Sequence, residues 1–195
     1  MTPSAPSRSL TLVRHGQSTW NQSGLIQGQN DVSVLTQRGR EEARAAAEDL
    51  RPLHAERLTS SDLRRASETG QIIGGILALE ATYDERLRER CFGNLEGEPV
   101  AALSPELSGI RDGVLFDPDA KPNGGESFRD VVARVGDFFE ETQRSPGSSR
   151  LLVVTHGGAI RALRAYVDGS PLEGLAMIDV TNCSIWDISL PAAID

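Results

Sequence analysis

Two rhythms of apolar residues run along this chain. One is the short, continuous run: residues 9 to 14, then Leu151-Leu152-Val153-Val154-Thr155. Each reads as a buried strand, and the second suits a parallel strand covered on both faces. Arg57 to Ser60 and residues 80 to 84 read as shorter strands, and residues 178 to 189 as late strands. The other rhythm is helical. Thr36 is placed to cap a helix through about Leu50 that turns Ala43, Ala46, Ala47 and Leu50 inward. Ser60 or Ser61 is placed to cap a second, carrying Ala66, Ile72, Ile73, Ile76 and Leu77. Phe128, Val131, Val132, Val135, Phe138 and Phe139 mark a strongly periodic third, with Ser127 and Asp130 resembling a capping box, and Pro146-Gly147 breaking the chain beyond it. Ile160, Leu163 and Val167 mark a fourth.

Between these lie polar or irregular stretches. Residues 17 to 34 read as a loop, and 97 to 124 as an irregular segment with a helical turn around 99 to 107. Strands alternating with helices predict an α/β fold: a three-layer sandwich with a mostly parallel central sheet flanked by helices. With 195 residues, a disordered tail over 1 to 7 and a single domain over 8 to 195 are expected.

Charge narrows the partners. The net charge of -8 argues against nucleic acid or an anionic membrane surface. No apolar run has the length to span a bilayer. The opening residues lack the basic and apolar regions of a signal peptide. Cys91 and Cys183 have no metal-like spacing, so neither a metal nor a disulfide framework is expected, and a cytoplasmic location is the default. A homodimer is left open.

The chemistry sits where the apolar runs end. One construction occurs twice: Val13-Arg14-His15-Gly16 and Val154-Thr155-His156-Gly157. Parallel neighbouring strands would bring both histidines to one sheet edge, where open α/β sheets bind ligands. Arginine binds phosphate through a planar fork of donors, and neutral imidazole can attack as a nucleophile. Arg65 falls in the first turn or so of a helix, whose amino end favours anions. Glu89, among Arg86, Arg88 and Arg90, is either a surface ion-pair residue or a proton donor. Asn123-Gly124-Gly125-Glu126-Ser127 is either a backbone anion contact or a plain turn into a capped helix. His54 reads as a surface loop residue without a role.

Together these blocks resemble the histidine phosphatase superfamily, with its phosphoglycerate-mutase-like fold. Leu12 to Asn21 is similar to the family's signature. Ser61 to Thr69 is similar to its second block, Leu87 to Gly97 to the block that supplies an acid, and Gly124 to Ser127 and Val154 to Gly158 complete the set. The resemblance implies a metal-independent phosphomonoesterase without a cofactor, acting on a small phosphorylated metabolite. It implies His15 as nucleophile, Glu89 as acid and then base, and Arg14, Arg65 and His156 as phosphate holders, His156 protonated or donating. Asn21, Gln27, Gly28 and Gly157 are implied as substrate contacts. The alternatives are a cofactor-dependent phosphoglycerate mutase and a non-catalytic binder of phosphorylated ligands. A filled set of catalytic positions weighs against the binder. Against the mutase stand Val100, where such mutases carry a lysine, and a short cap segment over 98 to 123 with a lone Arg111 and a later Lys121. That wall carries Leu103, Leu107, Ile110, Val114, Leu115 and Phe116, which suits an apolar or sugar-like leaving group or simple packing of the cap.

Overall fold

The computed structural model describes residues 9–144 and 150–189. The expected tail over residues 1 to 7 and the break at Pro146-Gly147 lie outside them. In chain order the elements are β1 (Ser9–Arg14), α1 (Thr19–Ser23), α2 (Gln37–Leu50), β2 (Arg57–Ser60), α3 (Arg64–Leu77), β3 (Ala81–Tyr83), α4 (Pro105–Ser108), β4 (Ile110–Arg111), β5 (Val114–Leu115), α5 (Phe128–Arg144), β6 (Arg150–Thr155), α6 (Gly157–Val167), β7 (Leu175–Ala176) and β8 (Ile185–Ser189). The five-stranded sheet runs β3-β2-β6-β1-β8. All its pairings are parallel except that of β8 with β1.

Side chains alternate across the sheet, so each strand feeds two cores. Leu10, Leu12, Leu151 and Val153 pack with Phe128, Val131, Val135, Ile160 and Leu163 from α5 and α6. Val13, Leu152 and Val154 pack with Ala47, Leu50, Ala66 and Ile73 from α2 and α3. This double burial is why β6 is apolar without a break, and it makes the sandwich three layers deep.

The expected caps divide. Thr36 does cap α2, its hydroxyl accepting from Gly39 N at 3.0 Å. Ser127 and Asp130 cap α5 reciprocally, at 2.9 and 3.1 Å. Neither Ser60 nor Ser61 caps α3. Its N-cap is Leu63, with no side-chain hydrogen bond, because both serines are still tied to the sheet edge. The loop over 17 to 34 contains the short α1, closed by a capping box of Ser18 and Asn21. The late strands are shorter than expected: β8 begins only at Ile185, and residues 178 to 184 are loop and turn. The segment from 98 to 123 holds α4 and a small hairpin, β4-β5, which joins β7 in a second antiparallel sheet. Its turn is a tight Asp112-Gly113 pair with positive φ at both positions, a geometry typical of two-residue hairpins.

Candidate active site

Strand register brings the two histidines together. Arg14 stands beside Thr155 in the β1-β6 pairing, so the next residue of each strand leaves the sheet at the same edge. His15 N donates to Thr155 O at 2.9 Å, and the imidazole rings meet edge to face with centroids 5.1 Å apart. Gly16 serves a close approach here. A Cβ on it would fall 2.3 Å from Gly39 O, at the start of α2. The glycine therefore lets α2 close against the strand end.

His15 is 2% exposed. Its Nδ1 lies 2.8 Å from Gly16 O. A carbonyl can only accept, so Nδ1 carries the proton and Nε2 keeps the lone pair. Burial, with Arg65 and Arg14 nearby, holds its pKa well below the ordinary histidine value. The ring is therefore neutral near pH 7. His156 is fully buried and held neutral in the same way, by burial first and then by Arg65, His15 and Arg14. A neutral ring leaves the donor role of His156 to depend on which of its nitrogens carries the proton.

Two guanidinium groups accompany the rings. Arg65, on the first turn of α3, is fully buried, and burial lowers its pKa to about 10 against the opposing pull of Glu89, Asp31 and Glu96. It remains charged near pH 7. It donates to Gly28 O at 2.7 Å and Asn30 O at 3.1 Å. Arg14 donates to Val180 O at 2.5 Å. These bonds orient both groups yet leave Arg14 Nε and Arg65 Nε buried without a protein partner, as is His156 Nδ1. Buried polar groups are normally satisfied, so unpartnered nitrogens gathered beside two buried cations suit an anion.

Glu89 reaches the same place from the loop after β3. Its carboxylate accepts from Gly158 N at 3.1 Å and from Arg90 N at 2.8 Å. A Cβ on Gly158 would fall 2.1 Å from Glu89 Oε1, so the glycine is what admits the carboxylate to the start of α6. Its charge opposes the lowering of the Arg14 and Arg65 pKa values by burial, so the carboxylate lies within electrostatic reach of both guanidinium groups. The ion-pair alternative does not describe it, since Arg88 pairs with Asp62 and Arg86 with Asp84 and Glu141.

The profile of the histidine phosphatase superfamily (branch 1) matches residues 10–191. The chain belongs to that superfamily. Among curated relatives, a probable phosphoglycerate mutase of Salmonella paratyphi C is 36% identical over 175 residues, covering 89% of this chain and 81% of that protein. Among solved structures, a mycobacterial glucosyl-3-phosphoglycerate phosphatase in complex with VO3 is 33% identical with a TM-score of 0.80, covering 94% of this chain and 91% of that one. A phosphoserine phosphatase variant from Entamoeba histolytica, in complex with phosphoserine, is 25% identical with a TM-score of 0.76, covering 92% and 89%. Solved relatives of this histidine phosphatase thus include phosphatases, while the curated relative is named as a mutase.

The remaining expected contacts have distinct surroundings in this superfamily member. Asn21 Oδ1 accepts from Ser18 N and Asn182 Nδ2 at 3.1 and 3.2 Å. With its oxygen so engaged, the amide keeps its NH2 for another acceptor. Gln27 is turned inward, its Oε1 accepting from Ser18 Oγ at 2.7 Å, so it braces α1. Gly28 presents its carbonyl to Arg65. A Cβ on Gly157 would lie 3.8 Å from Arg14 Nε, so the start of α6 faces that arginine. In the Asn123–Ser127 turn Gly125 N donates to Pro122 O and Glu126 N to Cys91 O, so these two amides are spent within the protein. His54 is exposed and far from this chemistry in the fold, at the end of a turn after α2.

Several contributors were not singled out from the sequence. Asn182 Nδ2 also donates to His15 O at 2.9 Å, tying the loop before β8 to the strand end. Arg134 on α5 donates to Arg86 O, Arg88 O and Glu89 O, and to the Glu126 carboxylate. Burial pushes the Glu126 carboxyl up, but Arg134 and Cys91 N outweigh it and hold it below its usual value. Arg90, 4% exposed, donates to carbonyls of Leu107, Ser108, Ala120 and Glu126, pinning the cap to the acid loop. The only signal for Arg134 was a polar position eight residues after Glu126 on a helix.

Proposed function

We propose that this protein is a phosphomonoesterase that moves the phosphoryl group through a phosphohistidine on His15. One observation carries the reading. A neutral imidazole with a free Nε2 lone pair stands beside the unpartnered buried nitrogens of Arg14, Arg65 and His156. A phosphate monoester near pH 7 carries close to two negative charges, and the two guanidiniums oppose them. Phosphoryl transfer needs chiefly positioning and charge stabilisation. His15 Nε2 attacks phosphorus, and the P–O bond to the leaving group breaks. Glu89 serves as the general acid, passing a proton to the departing oxygen. As a carboxylate it then takes a proton from water, whose oxygen attacks the phosphohistidine and returns His15 with inorganic phosphate. The reading uses no metal. A small phosphorylated metabolite in the cytoplasm is part of the proposal, with both cysteine thiols free as a reducing compartment allows. Among the described residues no helix is long and apolar enough to cross a membrane.

The mutase alternative turns on the cap. A mutase must grip a substrate with a second anionic group and hold the phosphoenzyme against water. Here Arg111 pairs with Glu106 at 3.2 Å and stacks over Phe116 at 4.7 Å. Lys121 pairs with Asp130 at 3.7 Å. Val100 is 57% exposed where a lysine would serve. The cap's cations are thus occupied, which favours water as acceptor. A phosphate-release screen over a panel of phosphometabolites, run beside a 3-phosphoglycerate isomerisation assay, tests this. Release without isomerisation is expected. Isomerisation faster than release would overturn it in favour of the mutase, and activity only with added metal would overturn the metal-free route.

A further inference from the structure

The second histidine has a problem of direction. A neutral imidazole has one N–H and one lone pair. His156 Nε2 lies 2.9 Å from Ser61 Oγ, while Nδ1 is buried without a partner. If the ring proton sits on Nε2, a lone pair is left on Nδ1, and it repels any anion that nears it. If the proton sits on Nδ1, the ring offers a donor.

Donor counting decides between them. Ser61 is fully buried. Its Oγ accepts a long hydrogen bond from Leu63 N at 3.4 Å. Among the described residues, His156 Nε2 stands as the acceptor for the Ser61 hydroxyl hydrogen. Were Nε2 protonated, Oγ would face two N–H donors and its own hydrogen would be stranded in the interior. Leaving a buried donor unmade is the costly outcome. With the hydroxyl donating to Nε2, every group of Ser61 is satisfied. Of this serine–histidine pair only the Nδ1 hydrogen of His156 is then left unpartnered, beside Arg14 and Arg65, whose charges reach the ring. A doubly protonated ring would add a third cation to that buried place.

We propose that Ser61 is a positioning residue that sets the tautomer of His156, donating its hydroxyl to Nε2 so that Nδ1–H is held ready for a phosphate oxygen. The proposal rests on the phosphomonoesterase reading for its purpose but not for its test. The residue touches no substrate. It acts through the imidazole, much as an outer partner fixes which nitrogen of a histidine is available. Its place just beyond β2, beside β6, follows from the sheet: Ser61 N donates to Val154 O at 2.9 Å, two residues before His156.

The test reads the tautomer directly. Long-range 1H–15N correlation spectra of the 15N-labelled full chain, without phosphate, should show His156 protonated on Nδ1, with exposed His54 as the internal reference. A His156→Gln sample assigns the signal. Protonation on Nε2 in the wild-type chain would overturn the proposal, whatever the catalytic result. In Ser61→Ala the ring is released and should shift toward Nε2–H. Its kcat/KM for p-nitrophenyl phosphate should fall by about tenfold to a hundredfold. The loss should shrink as pH is lowered, because the imidazolium carries a proton on both nitrogens. Ser61→Thr keeps a hydroxyl and should restore both tautomer and rate. An unchanged rate and tautomer in Ser61→Ala would also overturn the proposal. If the wild type releases no phosphate, the functional reading fails while the spectrum still decides the tautomer.

Discussion

His15 and His156 end neighbouring parallel strands, each followed by glycine, each buried and each neutral. They nevertheless present opposite faces. His15 spends its Nδ1 proton on the Gly16 carbonyl and shows a lone pair. His156 spends its Nε2 lone pair on the Ser61 hydroxyl and shows a proton. One residue type, in one tautomer, thus presents a lone pair or a proton according to which nitrogen the surroundings occupy. The difference lies in the partners, and burial makes those partners decisive, since water cannot substitute for them.

Removing the lone-pair side should do the most harm. His15→Ala should lower turnover of p-nitrophenyl phosphate by at least about 10³-fold and abolish acid-labile protein-bound phosphate, since no other group supplies the attacking pair. Near-normal turnover in that variant would break the contrast at its root. Glu89→Gln should cost about 10² to 10⁴-fold with poor leaving groups such as alkyl phosphates. With p-nitrophenyl phosphate, whose leaving group needs no proton, the loss should be far smaller. Equal losses for the two would remove Glu89 from the acid role.

On the donor side, His156→Ala should cost about 10² to 10³-fold in kcat/KM, as for the loss of one preorganised donor to developing charge. It should still form phosphohistidine, slowly; complete loss of the intermediate would make the two histidines a single unit. The smallest effect is on stability. Both imidazoles have pKa values held below the ordinary value of about 6.5. Below that value the unfolded chain binds protons that the folded chain refuses, so stability falls as pH drops. The expected slope is about 1.4 kcal/mol per pH unit per histidine, down to the folded-state pKa values. Urea unfolding at pH 7.5, 6.5 and 5.5 in phosphate-free buffer would read it, and His15→Ala should remove one histidine's share. A flat profile would show that burial does not exclude the proton.

Much of this was legible in residue order because it is local. Apolar runs and helical periodicity marked every long element, and the two strand-His-Gly sites could be placed at one edge before any coordinates. Arg65 and Glu89 needed the family resemblance, since a charged residue on a helix or loop has no local sign of burial. Other partners left no usable sign. The His156–Ser61 contact spans 95 positions and the Asn182–His15 contact 167. Ser61 read as a helix cap, since a serine before a helix usually is one. In fact its hydroxyl faces the sheet edge and the histidine. The β4-β5 hairpin was hidden because its strands are two residues long, too short to show a period.

The sequence by itself determined the layered fold, the edge where ligands would bind, and which residue types could gather there. Those follow from burying apolar faces, and burial is written in spacing of one to four residues. Only the tertiary structure decided how each group is presented. It set which histidine nitrogen is free, which arginine hydrogens are orphaned, that a carboxylate reaches the start of α6, and that the cap's cations are already paired. Such outcomes depend on single hydrogen bonds between distant segments, where a shift of an ångström changes the partner and the chemistry with it.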